Sequence, residues 1–234
     1  MRRDGVDPDS RGMTRNRTLL VSALAASLGP LVGNGLWAGP GTDGDKILAD
    51  ARDGLPAIGY LGLTLELLGF AGLAVLFAWL VAHLFDRAPV AAVTTGIAGA
   101  AMLAVKVGSA APMMVVHSMP DKLDPVTAEA LISMNDQSFV VSGFLMCLAF
   151  LAAGVGLLET EFPRWLSWWA AIAGGLGVVA GIAGITRPDS YVPIPFLLCL
   201  VWMIAVAITT AMRSGDTASV GPGNRTSVPL GATE

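Results

Sequence analysis

Long apolar runs separated by short polar segments make up most of this chain. A helix needs roughly 20 apolar residues to cross the hydrocarbon core of a membrane, and six runs reach about that length. These runs cover residues 18–38, 58–85, 90–116, 138–158, 165–186 and 192–212. A membrane β-barrel would instead show shorter segments that alternate between apolar and polar residues. The pattern therefore predicts an all-α fold, a polytopic transmembrane helix bundle with six spans.

The composition supports this class and excludes others. Apolar residues make up 54% of the 234 positions and charged residues only 14%, which is too few charges to cover the surface of a water-soluble protein. The net charge of −4 argues against a nucleic-acid partner, which would require a basic excess. Two cysteines cannot build a disulfide framework or a zinc ribbon, and no cofactor or metal motif is present.

The chain divides into three parts by composition. Residues 1–17 are predicted to form a disordered basic tail, and residues 18–213 the six-helix transmembrane domain. Residues 214–234 are rich in Gly, Ser, Thr and Pro, which predicts a disordered C-terminal tail.

Lysine and arginine residues are distributed unequally between the two sides of the predicted bundle. One side collects nine of them, at Arg2, Arg3, Arg11, Arg15, Arg17, Arg87, Arg164, Arg213 and Arg225. The other side carries four, at Lys46, Arg52, Lys122 and Arg187. Because cytoplasmic loops carry the positive excess, both termini are predicted to be cytoplasmic, in a multi-pass protein of the inner (cytoplasmic) membrane.

The two long connections, residues 39–56 and 117–137, lie on the predicted outer side. The first has room for one or two helical turns at the membrane interface. In the second, Asp124 followed by Pro125 is typical of a helix start, so we expect a helix that leads directly into the fourth span.

Three segments resemble a known family in their order along the chain. Asp45-Lys46-Ile47-Leu48-Ala49 precedes the second span, and a proline-containing helix over residues 123–135 leads into the fourth. Phe162-Pro163-Arg164-Trp165-Leu166 opens the fifth span, which continues as a glycine-rich run. This order resembles the bacterial six-helix membrane family DUF4386 across roughly residues 18–212. The resemblance supports the architecture and transfers no catalytic residue or cofactor.

Two charged residues lie deep within neighbouring predicted spans. At about 1.5 Å per residue, Glu66 lies ~12 Å and Lys106 ~15 Å from the outer ends of the second and third spans. The matching depths predict an ion pair between them. Such a pair is most simply a structural clamp, since charges in a membrane usually survive by pairing, and a functional role would require one of them to titrate.

Other polar residues gather in the same outer half. His117 follows Lys106 at helical spacing, although an exposed loop histidine is the simpler interpretation. Asn135, Ser138 and Ser142 form a stripe on the fourth span, where hydrogen bonding between helices is the simpler interpretation. The predicted pocket lining comprises Asn34, Glu66, Lys106, His117, Asn135, Asp136, Ser138, Ser142, Arg187 and Tyr191.

Three functions remain open. The first is a non-enzymatic protein that binds or handles a lipophilic or small polar molecule through this outer pocket, with membrane lipid as its surroundings. The second is an intramembrane enzyme in which Glu66 or Asp136 acts as general acid or base, with Lys106 or His117 tuning the charge. The third is a scaffold subunit. Gly177 and Gly181 form a Gly-xxx-Gly pair that marks close helix packing and offers an interface for a second copy.

Overall fold

The computed structural model of the chain describes residues 8–36, 43–187 and 190–219. Within these ranges the fold is all-helical, as predicted, and no strand is present. Its helices are α1 (Pro8–Leu36), α2 (Gly44–Asp53), α3 (Ala57–Leu84), α4 (Pro89–Gly108), α5 (Ala110–Ser118), α6 (Pro125–Leu157), α7 (Arg164–Thr186) and α8 (Ile194–Ser219). A 3₁₀ turn, Pro120–Lys122, joins α5 to α6.

Among the described residues, four helical segments are long and apolar enough to cross a membrane. They are Ala57–Leu84, Pro89–Ser118, Pro125–Leu157 and Arg164–Thr186. They correspond to the second, third, fourth and fifth predicted spans. The first and sixth predicted spans lie in α1 and α8, whose apolar segments are shorter, Thr18–Gly33 and Ile194–Thr210. The predicted disorder of the two tails stays a prediction, since no side chain of residues 1–17 or 214–234 is among those that the structure describes.

Six helices pack as a closed ring in the order α1, α3, α4, α6, α7, α8, with α8 returning to α1. The centre is filled by apolar side chains such as Phe77, Phe150 and Trp202, and the Trp202 indole Nε1 donates a 2.7 Å hydrogen bond to the Leu166 carbonyl. That bond satisfies the one polar atom of a fully buried indole.

Glycines bring two helix pairs of the ring into close contact. Between α1 and α3, a Cβ on Gly33 would lie 2.7 Å from the Gly62 carbonyl oxygen and 3.1 Å from the Glu66 Cβ. Between α6 and α7, a Cβ on Gly181 would lie 2.6 Å from the Phe144 Cβ, and one on Gly177 would overlap the Cys147 side chain. Small residues are the usual means of close helix approach in membranes.

The contacts of Gly177 and Gly181 correct one prediction. These glycines are buried against α6 of the same chain, so the structure uses them inside the bundle rather than offering them to a second copy. The scaffold hypothesis was favoured by a glycine face that points outward, and the burial of these two glycines removes that support.

The third predicted span is broken at Ser109, where α4 ends and α5 begins. Pro112 explains the break, because it has no N–H to donate to the Gly108 carbonyl and its ring would collide with that carbonyl. Beside the break, the Ser109 hydroxyl donates to the Lys106 carbonyl at 2.8 Å. Lys106 consequently lies in the last turn of α4, where a positive charge is favoured by the helix dipole.

Helix α2 forms part of a cap at one end of the ring. Asp43 caps its N-terminus by accepting from Asp45 N at 3.0 Å, and Gly54 ends it with a φ of +78°, a conformation that favours glycine. Its apolar face, which includes Ile47 and Leu48, packs against α5 and the first turns of α6. The predicted interfacial segment is therefore a docked helix. The predicted start of α6 is confirmed, with Asp124 accepting from Thr127 N at 3.0 Å.

Candidate ligand-binding cavity

A cavity of about 260 Å³ lies inside the ring, close to the lower end of the range of about 300–1,000 Å³ typical of small-molecule sites. It is bounded by α1, α3, α4, α6 and α8. Most of its wall is apolar, and three polar side chains reach it: Glu66, Lys106 and Ser142. The apolar lining residues are Pro30, Leu31, Phe70, Leu73, Met102, Phe139, Met146, Pro193, Phe196, Leu197 and Leu200.

The predicted ion pair between Glu66 and Lys106 is present, with 3.8 Å between Lys106 Nζ and Glu66 Oε1. Both side chains are largely buried, with 15% of Lys106 and 10% of Glu66 exposed. The Lys106 ammonium also lies 5.6 Å from the centroid of the Phe139 ring, within the range of a cation–π interaction. The buried charges are therefore stabilised by their mutual attraction, and the Lys106 ammonium is also stabilised by the Phe139 ring.

A second, smaller cavity of about 80 Å³ lies on the other side of the ion pair. Glu66, Lys106 and Phe70 line both cavities, and Asn135 reaches only the smaller one. The pair thus forms part of the wall between a mainly apolar chamber and a smaller chamber with an amide.

The larger cavity reaches the outer surface of the bundle between α1 and α8. Leu31 on α1 and Leu197 on α8 both line it, and they are 40% and 42% exposed. Pro193, next to the start of α8, is exposed at the same edge. A molecule dissolved in the membrane would therefore meet the cavity from the side, past two leucines.

The three residues of the predicted polar stripe on α6 lie in three different environments. Ser142 is 3% exposed and lines the larger cavity, with its hydroxyl donating to the Phe139 carbonyl at 3.1 Å. Asn135 lines the smaller cavity. Ser138 lines neither, and its hydroxyl donates to the Asn135 carbonyl at 2.6 Å, within its own helix.

Several predicted lining residues lie elsewhere. Asp136 and Arg187 are exposed and line neither cavity. Asp136 differs from Asn135 because a step of one residue turns a side chain by about 100° around its helix, and Arg187 follows the end of α7. The backbone of Asn34 lies in α1, and its side chain lies outside the described part of the structure.

His117 is neither a cavity residue nor an exposed loop histidine. It lies in α5, beyond the helix break, and its two ring nitrogens are buried without a hydrogen-bond partner among the described residues. Helical spacing from Lys106 continues across the break, since Ala110 of α5, four positions further on, also lines the smaller cavity. Met113 lines the smaller cavity with Lys106, whereas His117 does not.

Tyr191 supports the cavity wall from behind. Its ring lies against Gly143 and Gly184, in space that a Cβ would fill, and meets the Phe139 ring edge to face at 6.0 Å. Burial raises the pKa of Tyr191 to about 12, so the phenol stays neutral. Tyr191 therefore positions Phe139, which in turn faces Lys106.

Sequence reasoning missed the apolar part of the site. Phe70 and Leu73 follow Glu66 at four and seven positions, and Met146 follows Ser142 at four. Helical spacing from the two predicted polar residues would have found these three. Nothing in the spacing points to Phe196, Leu197 and Leu200, because they come from a helix with no predicted cavity residue.

The described residues include no group of three or more histidine, cysteine or acidic side chains that could hold a metal ion. Cys147 and Cys199 are buried free thiols on α6 and α8. What the site offers is an apolar chamber with one ion pair and one hydroxyl, a lining suited to a lipophilic molecule with a small polar group.

The fold and cavity define a class, an all-helical protein built from apolar helices of membrane-spanning length. The chain belongs to the family DUF4386, a domain of unknown function, whose model matches residues 18–212. Neither a curated protein nor a solved structure matches the chain.

Proposed function

We propose that the protein crosses a bacterial cytoplasmic membrane six times, with both termini in the cytoplasm. Helices α1 and α8 complete the ring, and their 29 and 26 residues correspond to lengths of roughly 44 and 39 Å. The orientation is supported by the nine-to-four distribution of Lys and Arg. Cysteines placed at the exposed positions Asp50 and Lys122 should react with an impermeant thiol reagent on intact cells. Reaction only after lysis would mean that these two positions face the cytoplasm and that the proposed orientation is wrong.

Within that membrane, we propose that the protein binds a lipophilic molecule in the 260 Å³ cavity, with its polar group against the Glu66–Lys106 pair. The observation that carries this proposal is the combination of an apolar wall, a single ion pair and an opening between Leu31 and Leu197. A clamp with a purely structural role would need no space beside it, because buried ionic groups are most stable when they are closely surrounded by partners.

A photoreactive alkyl diazirine without a polar head group tests this proposal. In native membranes it should label cavity residues on α6 and α8, which peptide mass spectrometry identifies. Leu197→Trp should obstruct the opening and reduce that labelling, whereas Leu198→Trp is the matched control, since Leu198 is exposed but does not line the cavity. Labelling confined to outward-facing residues, or equal labelling in both variants, would contradict the proposal.

An intramembrane enzyme is the second candidate, favoured by the Glu66 carboxylate that faces the cavity. Asp136 is exposed and does not line the cavity, so this candidate depends on Glu66 alone. Lipid extracts of cells that carry Glu66→Gln distinguish the two. An enzyme would accumulate a substrate in the variant while cavity labelling by the alkyl probe stays unchanged, whereas a binder would leave the lipid composition unchanged.

A further inference from the structure

We infer that the ligand of this cavity is a single-chain lipophile with an uncharged hydroxyl head group. This inference rests on the proposed function and adds the chemical class of the ligand. It follows from three properties of the site: the unused hydrogen-bonding capacity of the ion pair, its net charge and the size of the chamber.

The ion pair is too widely spaced to satisfy its own hydrogen-bonding groups. The 3.8 Å between Lys106 Nζ and Glu66 Oε1 exceeds the distance of a charge-assisted hydrogen bond, about 2.7–2.9 Å. Neither side chain makes a hydrogen bond with another group in the part of the chain that the structure describes. Lys106 therefore has three N–H donors available, and Glu66 has acceptor oxygens available beside the cavity.

A hydroxyl matches both halves of this pair at once. It can donate its proton to the Glu66 carboxylate and accept a hydrogen bond from the Lys106 ammonium. A water molecule can do the same, and an alcohol that replaces it also fills the apolar chamber with its chain. An ether oxygen accepts from Lys106 but leaves Glu66 without a donor.

The charges of Glu66 and Lys106 cancel, so the site as a whole selects against charged head groups. An anion beside Lys106 would also lie close to the Glu66 carboxylate, and a cation beside Glu66 would lie close to the ammonium. Both would lose their hydration on leaving the membrane surface without a net opposite charge to replace it.

The size of the larger cavity suits a ligand with one alkyl chain rather than two. About 260 Å³ is close to the lower end of small-molecule sites, and the opening past Leu31 and Leu197 allows a longer chain to extend into the surrounding lipid. Phe70, Phe139 and Phe196 provide aromatic faces along the enclosed part. A branched or two-chain phospholipid would have to leave most of its body outside.

Competition against the alkyl diazirine tests the inference with four twelve-carbon probes: dodecanol, dodecyl methyl ether, dodecanesulfonate and dodecylamine. Each is added to the purified protein in nanodiscs, and the readout is the mole fraction in the bilayer that halves cavity labelling. Dodecanol should need a mole fraction at least about tenfold lower than the other three, since a hydrogen bond to a charged group contributes about 1.5–3 kcal/mol.

Charge variants sharpen the test. Glu66→Gln leaves a net positive site and should shift the preference to dodecanesulfonate, and Lys106→Gln leaves a net negative site and should shift it to dodecylamine. Asp136→Asn makes the same chemical change as Glu66→Gln on an exposed side chain outside the cavity and should keep the preference for dodecanol.

The outcomes separate the two proposals. If all four probes compete equally while the cavity is still labelled, the hydroxyl class is wrong and the proposed binding function stands. If the alkyl diazirine does not label the cavity at all, the binding function is wrong and the ligand class falls with it.

Discussion

Removing one partner of the Glu66–Lys106 pair should destabilise the bundle more than removing both. Glu66→Gln strands the ammonium and Lys106→Met strands the carboxylate, in each case with at least 85% of the remaining charged side chain buried. Breaking a buried pair typically costs about 3–5 kcal/mol, because one charge stays in a poorly solvating site. The double variant leaves no charge there and should recover part of the loss.

The size of the coupling follows from the distance. Two unit charges 3.8 Å apart attract by about 4 kcal/mol at an effective dielectric constant of 20. The two adjoining cavities reduce this value where they admit water, so we expect a coupling free energy of about 1–3 kcal/mol. For a chain of this size that corresponds to roughly 2–12 °C in melting temperature.

The buried cysteines provide the assay. Cys147 and Cys199 are 1% and 0% exposed, so a thiol-reactive fluorophore reports unfolding in detergent when they become accessible. The four proteins of the cycle are the unchanged chain, Glu66→Gln, Lys106→Met and the double variant. Asp136→Asn combined with Lys106→Met is the control pair and should show no coupling. Additive losses in the first cycle would refute the interaction.

Three further predictions address the cavity wall, the helix packing and the start of α6. Ser142→Leu should fill the larger cavity and abolish labelling by the alkyl diazirine, at an overpacking cost of no more than about 1–3 kcal/mol measured by thiol accessibility. Unchanged labelling would remove Ser142 from the site. Gly174→Ala should lower the melting temperature, because its Cβ would lie 2.7 Å from the Cys147 carbonyl, whereas the neighbouring Gly175→Ala finds its nearest contact at 3.8 Å and should be neutral. Equal effects would contradict the close packing of α6 and α7. The Thr127 hydroxyl and backbone N–H donate to Asp124 and lower its pKa. The folding stability that this cap contributes is therefore complete above the unfolded pKa of about 4, and it disappears as the pH falls through the lower folded pKa. The difference in melting temperature between the unchanged chain and Asp124→Ala should therefore shrink below about pH 4, and a constant difference would exclude this origin.

The depth of polar residues could be predicted from the sequence, whereas helix rotation could not. A fixed rise per residue placed Glu66 and Lys106 at matching depths, and the structure brings them together. Asn135 and Asp136 have nearly the same depth, and only the first lines a cavity. The rotation of α6 depends on the close glycine contacts with α7, which spacing within one helix does not contain.

The interruption of the third span could be predicted from the sequence. Pro112 lies in the middle of an apolar run, and its missing N–H predicts a helix break near Gly108. Helical spacing from Lys106 still reaches Ala110 and Met113, which line the smaller cavity, but it does not bring His117 to that cavity. The docking of α2, in contrast, could not be predicted from the sequence. Ile47 and Leu48 indicate an apolar face, but the surface of α5 and α6 that covers it follows only from the tertiary fold.

A density map of the protein in nanodiscs, with a bound antibody fragment as fiducial, tests the central claim most directly. We predict a chamber between α1 and α8 at the level of Glu66 and Lys106, with elongated density that enters past Leu31 and Leu197 and ends at the ion pair. A map in which α1 and α8 meet along their whole lengths, with the pair closely surrounded by protein and no chamber beside it, would contradict the account.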